Sequence, residues 1–210
     1  MFEFLRRLFR RTAADPLDGL TAERLRVVVG LGNPGPEYAE TRHNVGFRCV
    51  DELARRCAAT WQDDARIHSQ VAIGHADELT VLLVKPQTYM NRSGAAVSAI
   101  VEQVGVELDK LLIVYDDMDL PFGALRVRER GSPGSHNGMR SVVAALGESV
   151  PRLRIGIGQA APGAAIDHVL GGFSATEENA VQELVSRAAD AAYAWATENA
   201  VVAMNRYNKM

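Results

Sequence analysis

The sequence predicts an α/β fold: a single three-layer α/β/α domain around a mixed, largely parallel, twisted sheet. Three observations predict it. Short runs rich in valine, leucine and isoleucine alternate with stretches of helical periodicity, the pattern of a sheet whose crossovers are helices. No internal repeat and no linker divides the chain. Its 210 residues, 47% hydrophobic and 23% charged, suffice for one well-filled core.

Residues 1–22, MFEFLRRLFRRTAADPLDGLTA, read as an extension to a domain that runs from 23 to 210. Phe2, Leu5, Leu8 and Phe9 fall on one side of a helical wheel and Arg6, Arg7, Arg10 and Arg11 on the other. This is either a frayed extension or an amphipathic helix for a surface or an RNA. A secretory signal is disfavoured, because arginines interrupt the apolar stretch and no small-residue cleavage site follows. Glu3, Asp15 and Asp18 count against an organellar transit peptide.

Val27–Val29 is a buried strand, and Val45–Cys57 carries helical spacing at Val45, Val50, Leu53, Ala54 and Cys57. Strands follow at Ser69–Gly74 and Leu79–Lys85, then a helix over Ser93–Val104 that Gly105 stops. Leu111–Tyr115 is a short apolar strand, and Leu125–Arg130 alternates as a half-exposed strand does. A helix over Gly138–Leu146, a strand at Leu153–Ile157 and an Ala-rich helix over Glu177–Thr197 lead to a short last turn.

Composition excludes some functions. No run of about 18 apolar residues is present, so no membrane span is expected. Cys49 and Cys57 lie on one predicted helix, roughly 12 Å apart at the standard rise, too far for a disulfide. They read as buried thiols of a reducing compartment, the cytoplasm. The net charge of -3 is unevenly spread. From Arg126 to Arg154, six arginines (126, 128, 130, 140, 152, 154) face Glu129 and Glu148, a local balance of +4. Such a stretch is either an ordinary solvated surface or a basic face for a polyanion.

Gly30, Gly32 and Gly35 spell GxGxxG after the first strand, the pattern of a dinucleotide-binding loop. That loop needs its helix to begin inside the motif. Here Pro34 and Pro36 break it, helical periodicity waits until Val45, and Asp51 and Glu52 fall in the first helix rather than at the end of a second strand. A nicotinamide-dependent oxidoreductase is therefore disfavoured.

Polar residues gather instead where strands end, which is where open α/β sheets place their sites. Asn33 follows the first strand, and His43 in Thr41-Arg42-His43-Asn44 stands at the start of the first helix. A histidine there is either structural or a neutral general base. Asn91 follows the Leu79 strand, Asp116 ends the Leu111 strand, and His136 and Asn137 lie in GSHNG before the next helix. Asn91 and Asn137 are either helix N-caps or cleft residues. Asp119 with Leu120-Pro121 shapes a turn. No GxSxG elbow is present and neither cysteine sits in a glycine-rich, electropositive turn, so attack by water is favoured over a covalent acyl-enzyme. The five histidines form no HxH, HExxH or Cys/His pattern, so no metal and no cofactor is expected.

GLGNPGPEYAETRHNVGF, KPQTYMNRSG, YDDMDLPFG, GSHNG and RLRIGIG, in this order and spacing, resemble the bacterial-type peptidyl-tRNA hydrolases over residues 26–206. The resemblance implies a monomeric, metal-free esterase that cleaves the ester between a stalled peptide and the 3′-terminal ribose of tRNA. It places the family's catalytic histidine on His43 and the supporting acid on Asp116. The substrate-positioning asparagines fall on Asn33, Asn91 and Asn137, and the peptide-side lining on Tyr38 and Met90. The tRNA contacts fall on Arg126, Arg128 and Arg154. Lysine is common at the first two of these positions, so arginine departs from the family while keeping the charge. Pro133 and Ser135 also depart from its looser glycine-rich loop. Plant organellar relatives keep the fold but serve as RNA-binding splicing partners, which leaves a non-catalytic RNA-binding role as the alternative.

Overall fold

Val27, Val28 and Val29 are all fully buried because both faces of their strand are covered. The computed structural model describes residue 17 and residues 19–209. The strands are β1 (Leu25–Gly30), β2 (Gln62–Asp64), β3 (Ser69–Ala76), β4 (Leu79–Pro86), β5 (Leu111–Asp117), β6 (Leu125–Arg128) and β7 (Arg152–Gly156). The helices are α1 (Val45–Arg56), α2 (Ser93–Val104), α3 (Asn137–Leu146), α4 (Ala165–Leu170), α5 (Glu178–Thr197) and α6 (Ala200–Tyr207). They build one seven-stranded sheet in the order β2-β3-β4-β1-β5-β7-β6. Its centre, β4-β1-β5-β7, is parallel, while β2, β3 and β6 run antiparallel to their neighbours at the edges.

Strand alternation sorts the core into two clusters. Val28, Leu112 and Val114 point to one face, where Val45, Val50 and Leu53 of α1 and Leu184, Ala188 and Trp195 of α5 cover them. Val27, Val29, Leu111 and Ile113 point to the other, against Val97 and Ile100 of α2 and Met139 and Val142 of α3. The three-layer α/β/α architecture follows.

Leu17 is buried in the second cluster and Leu20 packs against it, while Lys110 Nζ donates to Ala22 O. Packing therefore begins before residue 23. The arginine-rich stretch of the extension lies outside the described residues. Among the described residues, no helix is long and apolar enough to cross a membrane.

Two elements are absent from the sequence reading and a third is longer than expected. β2 is a three-residue polar strand, Gln-Asp-Asp, paired with β3 at the edge of the sheet, and it carries no apolar alternation. α4 spans six residues and buries none of them. α6 is a full helix where a short turn was expected; Asn199 caps it by accepting from Val202 N, and Ala203 is buried. Elsewhere the differences are end shifts of one or two residues.

The glycines of the GxGxxG spelling have a packing role. A Cβ on Gly30 would stand 2.3 Å from Gly46 O, and one on Gly46 would stand 2.5 Å from both Leu31 O and Val114 O. These two glycines let the first turn of α1 sit directly on the crevice between β1 and β5. A Cβ on Gly32 would meet the Phe47 ring at 2.7 Å. The glycines thus fix where α1 begins, and with it the residues just before α1.

Candidate active site

His43 lies in a single 3₁₀ turn, Arg42–Asn44, that leads into α1. Each side chain of this turn is tied to a different part of the fold. Arg42 hydrogen-bonds Gly172 O and Glu177, and its guanidinium stacks 4.8 Å over the Phe173 ring. Asn44 accepts from Asn33 N at 2.8 Å and donates to Asn33 O at 2.9 Å. His43 Nδ1 lies 2.9 and 3.0 Å from the two carboxylate oxygens of Asp116, near the carboxyl end of β5. The turn delivers the histidine, and β5 delivers its acid.

Asp116 is 1% exposed and bears a second histidine: His136 Nε2 lies 2.9 Å from Oδ1. Burial alone would raise the Asp116 carboxyl, but the two imidazoles hold it at about 2. Hydrogen bonding settles the tautomers. His136 Nδ1 accepts from Met139 N at 3.1 Å and caps α3. That nitrogen is therefore bare, and the ring proton sits on Nε2, donating to Asp116. His43 donates its Nδ1–H to the same carboxylate, which leaves its Nε2 as a free lone pair. In their neutral forms the two histidines on this carboxylate are opposite tautomers.

Two histidines and an aspartate with ligand atoms within 4.8 Å of one another have the composition of a metal site. The cap argues against that use. To offer a lone pair at Nε2, neutral His136 would have to protonate Nδ1, which would then face the Met139 N–H. The cluster is built to hold protons.

Asn33 is buried, and its Oδ1 accepts from Met90 N at 2.8 Å. That bond links the end of β1 to the Met90–Arg92 turn. Met90 is buried and Asn91 is exposed on the same turn. Asn137 is exposed as the first residue of α3. Neither Asn91 nor Asn137 supplies a side-chain cap; α2 has none and His136 caps α3. A Cβ on Gly138 would strike Met90 Sδ at 2.6 Å, so these two asparagine-bearing segments abut. They are held in register by α2 and α3, where Gly94 N donates to Ser141 Oγ and a Cβ at 94 would lie 2.1 Å from Ser141 O. Tyr38 and Tyr89 meet edge to face at 6.5 Å on the Asn33 side.

On the other side of His43 opens a cleft of about 530 Å³. His43, Asp116, His136 and Asn137 line it, with Arg128, Arg130, Arg152, Arg154, the loop 131–135, the acidic Asp117 and Asp119, and Ile166 and Val169 of α4. Pro133 and Ser135 form part of that wall. Arg128 is exposed and Arg126, on the same side of β6, is half-buried. Arg154 pairs with Asp117. The six-arginine stretch is not a uniform basic face: Arg152 is 2% exposed, with its donors on backbone carbonyls. Cys49, by contrast, is inert: burial pushes its thiol up to about 12.

His136, Asn44 and Tyr115 belong to the site without having been assigned roles from sequence. His136 was visible in GSHNG, whereas the contact of Asn44 with the Asn33 backbone leaves no trace in a linear pattern. Tyr115 packs its ring 4.8 Å from that of His136, and burial pushes its phenol up to about 12.

The family model for peptidyl-tRNA hydrolase matches residues 27–210. The peptidyl-tRNA hydrolase of Chloroflexus aurantiacus is 53% identical over 188 residues, 88% of this chain and 99% of that protein. That of Synechococcus sp. (strain JA-2-3B'a(2-13)) is 45% identical, covering 89% of this chain and 84% of the relative. The crystal structure of peptidyl-tRNA hydrolase from Acinetobacter baumannii superposes with a TM-score of 0.84 at 34% identity, covering 90% of this chain and 97% of that one. With the family model covering every segment of the cleft and all of the sheet but the first two residues of β1, the chain belongs to the peptidyl-tRNA hydrolase family.

Proposed function

We propose that this protein hydrolyses the ester between the peptide and the 3′-terminal ribose of peptidyl-tRNA, with His43 as general base. The observation that carries the reading is the His43–Asp116 contact, which leaves Nε2 of a buried, oriented imidazole free in an arginine-lined cleft.

In this mechanism His43 Nε2 takes a proton from a water as the water oxygen attacks the ester carbonyl carbon. Asp116 keeps the ring oriented and stabilises the imidazolium, as the aspartate of a Ser-His-Asp triad does, with water in place of the serine. The tetrahedral intermediate collapses, the ribose 3′ oxygen leaves, and the imidazolium returns the proton to it. Because Asn33 Oδ1 is engaged by Met90 N, its NH₂ is the end available to a substrate carbonyl. Asn91 and Asn137 supply further amides, and Tyr38 and Met90 line the peptide side. Such groups grip a peptide backbone without reading its side chains, and a well-placed donor to the oxyanion contributes about 3 kcal/mol.

The tRNA lies along Arg126, Arg128 and Arg154, whose phosphate contacts give affinity and salt dependence. The protein acts as a monomer in the cytoplasm and needs no metal or cofactor. The test is release of N-acetyl-amino acid from N-acetyl-aminoacyl-tRNA by the purified protein. Tight binding of tRNA without release would instead support the RNA-binding alternative. Arg128→Glu is expected to weaken tRNA binding and reduce the slope of log affinity against log salt by about one. An unchanged slope would place the tRNA elsewhere.

A further inference from the structure

We propose that Arg152 is a positioning residue for the hydrolysis proposed above, acting on Asp116 and His43 through His136, and that it is not a tRNA contact. Arg152 opens β7 with a side chain that is 2% exposed, although it lies in the arginine-rich stretch and lines the cleft. Its nitrogens are committed to the chain itself. Nε donates to Val150 O at 2.9 Å and Nη2 to Glu148 O at 3.0 Å. Nη1 donates to Gly131 O and, at 3.2 Å, to Ser132 O. Burying a cation is costly, and it is offset here by carbonyl dipoles from two segments, without a carboxylate hydrogen-bonded to it. These bonds engage four of the five guanidinium N–H groups, and the Tyr115 phenol lies beside the same guanidinium, which leaves little of it for a phosphate.

Two of the carbonyls it gathers, those of Gly131 and Ser132, begin the loop that carries His136, and the other two, of Glu148 and Val150, anchor the guanidinium to the segment entering β7. Gly131 and Ser132 lie only a few residues before His136, on a loop held by few other backbone bonds, among them Gly131 N to Glu148 O. A second route leads to the same ring. The Tyr115 phenol lies beside the Arg152 guanidinium, and the Tyr115 ring packs 4.8 Å from His136. Both routes converge on His136, whose Nε2–H shares Asp116 Oδ1 with His43. A lysine cannot reproduce this strap, because one ammonium nitrogen cannot span four carbonyls in a planar fork.

The test is a double-mutant cycle on N-acetyl-aminoacyl-tRNA hydrolysis with Arg152→Lys and His136→Ala. Arg152→Lys is expected to lower kcat about tenfold, with KM and the salt dependence of binding within about twofold of wild type. In the His136→Ala background the same substitution is expected to change kcat less than about twofold, because the group it acts through is gone. Fully multiplicative effects would overturn the coupling. A raised KM with a flattened salt slope and unchanged kcat would make Arg152 a phosphate contact instead. If Arg152→Lys does not fold, Tyr115→Phe tests the second route: a loss of about threefold in kcat, absent in His136→Ala, is expected, and an equal loss in both backgrounds overturns it. The imidazole N–H proton resonance of His136 gives a readout independent of turnover. It is expected to shift or broaden in Arg152→Lys, and an unchanged signal counts against the proposal even if the wild type proves inactive. Absence of turnover by wild type would sink the hydrolase reading alone.

Discussion

Asp116→Asn is expected to lower kcat by about two to four orders of magnitude while leaving the protein folded and KM for peptidyl-tRNA within about threefold. The carboxylate accepts hydrogen bonds from both histidines, with His43 Nδ1 2.9 Å from one oxygen and 3.0 Å from the other. An amide has only one acceptor end. An amide nitrogen at the Oδ1 position faces the N–H groups of both rings, and one at the Oδ2 position stands against His43 Nδ1 while the oxygen at Oδ1 still accepts from both. The relief open to His43 is to move its proton to Nε2, which abolishes the base. His136 cannot respond in the same way, because its Nδ1 is held by Met139 N. The measurement is kcat and KM for N-acetyl-aminoacyl-tRNA, with thermal unfolding as the control for folding. A kcat within threefold of wild type would remove Asp116 from the mechanism.

The same pair sets an acid limit on stability. The Asp116 carboxyl is held at about 2, below its ordinary 3.8. A group depressed in the folded state stabilises it above its unfolded pKa and loses that contribution as pH falls through the folded value. The stabilisation is therefore intact above about pH 4 and lost toward about pH 2. Across neutral pH the carboxylate stays ionised, so it is always available as the acceptor for both rings.

His43→Ala is expected to cost at least about 100-fold in kcat, the usual scale for losing a general base. The side chain is 11% exposed and its removal leaves the turn anchored by Arg42 and Asn44, so the effect falls on chemistry more than on folding. Asp116 then keeps His136 as a partner and is not left buried and unpaired. Binding of uncharged tRNA is expected to be unchanged, because the arginines that line the cleft are left in place. Equal rates for wild type and variant would show that another group activates the water.

The central strands and the long helices were legible because continuous apolar runs and 3.6-residue periodicity are strong signals, and both faces of β1 and β5 are buried. His43, Asp116 and Asn33 were legible because sites in α/β sheets collect at the carboxyl ends of strands. The elements that were missed have weak local signals: a polar three-residue β2 and a six-residue α4 with no buried residue. Arg152 entered the sequence reading only as one of six arginines in the basic stretch, because its partners are backbone carbonyls, which have no sequence signature. The cap of α3 went to a histidine, a residue outside the usual capping set, so Asn137 stayed free for the cleft. The GxGxxG spelling misled only as letters, since Gly30 and Gly32 give α1 its close approach to the sheet.

In the proposed mechanism Asp116 fixes the proton of His43 on Nδ1 and leaves Nε2 as the base. Nitrogen NMR of the protein labelled with ¹⁵N-histidine, recorded at slightly alkaline pH, reads this directly. Opposite tautomers are expected for the two rings on Asp116: Nδ1–H for His43 and Nε2–H for His136. A His43 ring protonated on Nε2 would contradict this mechanism.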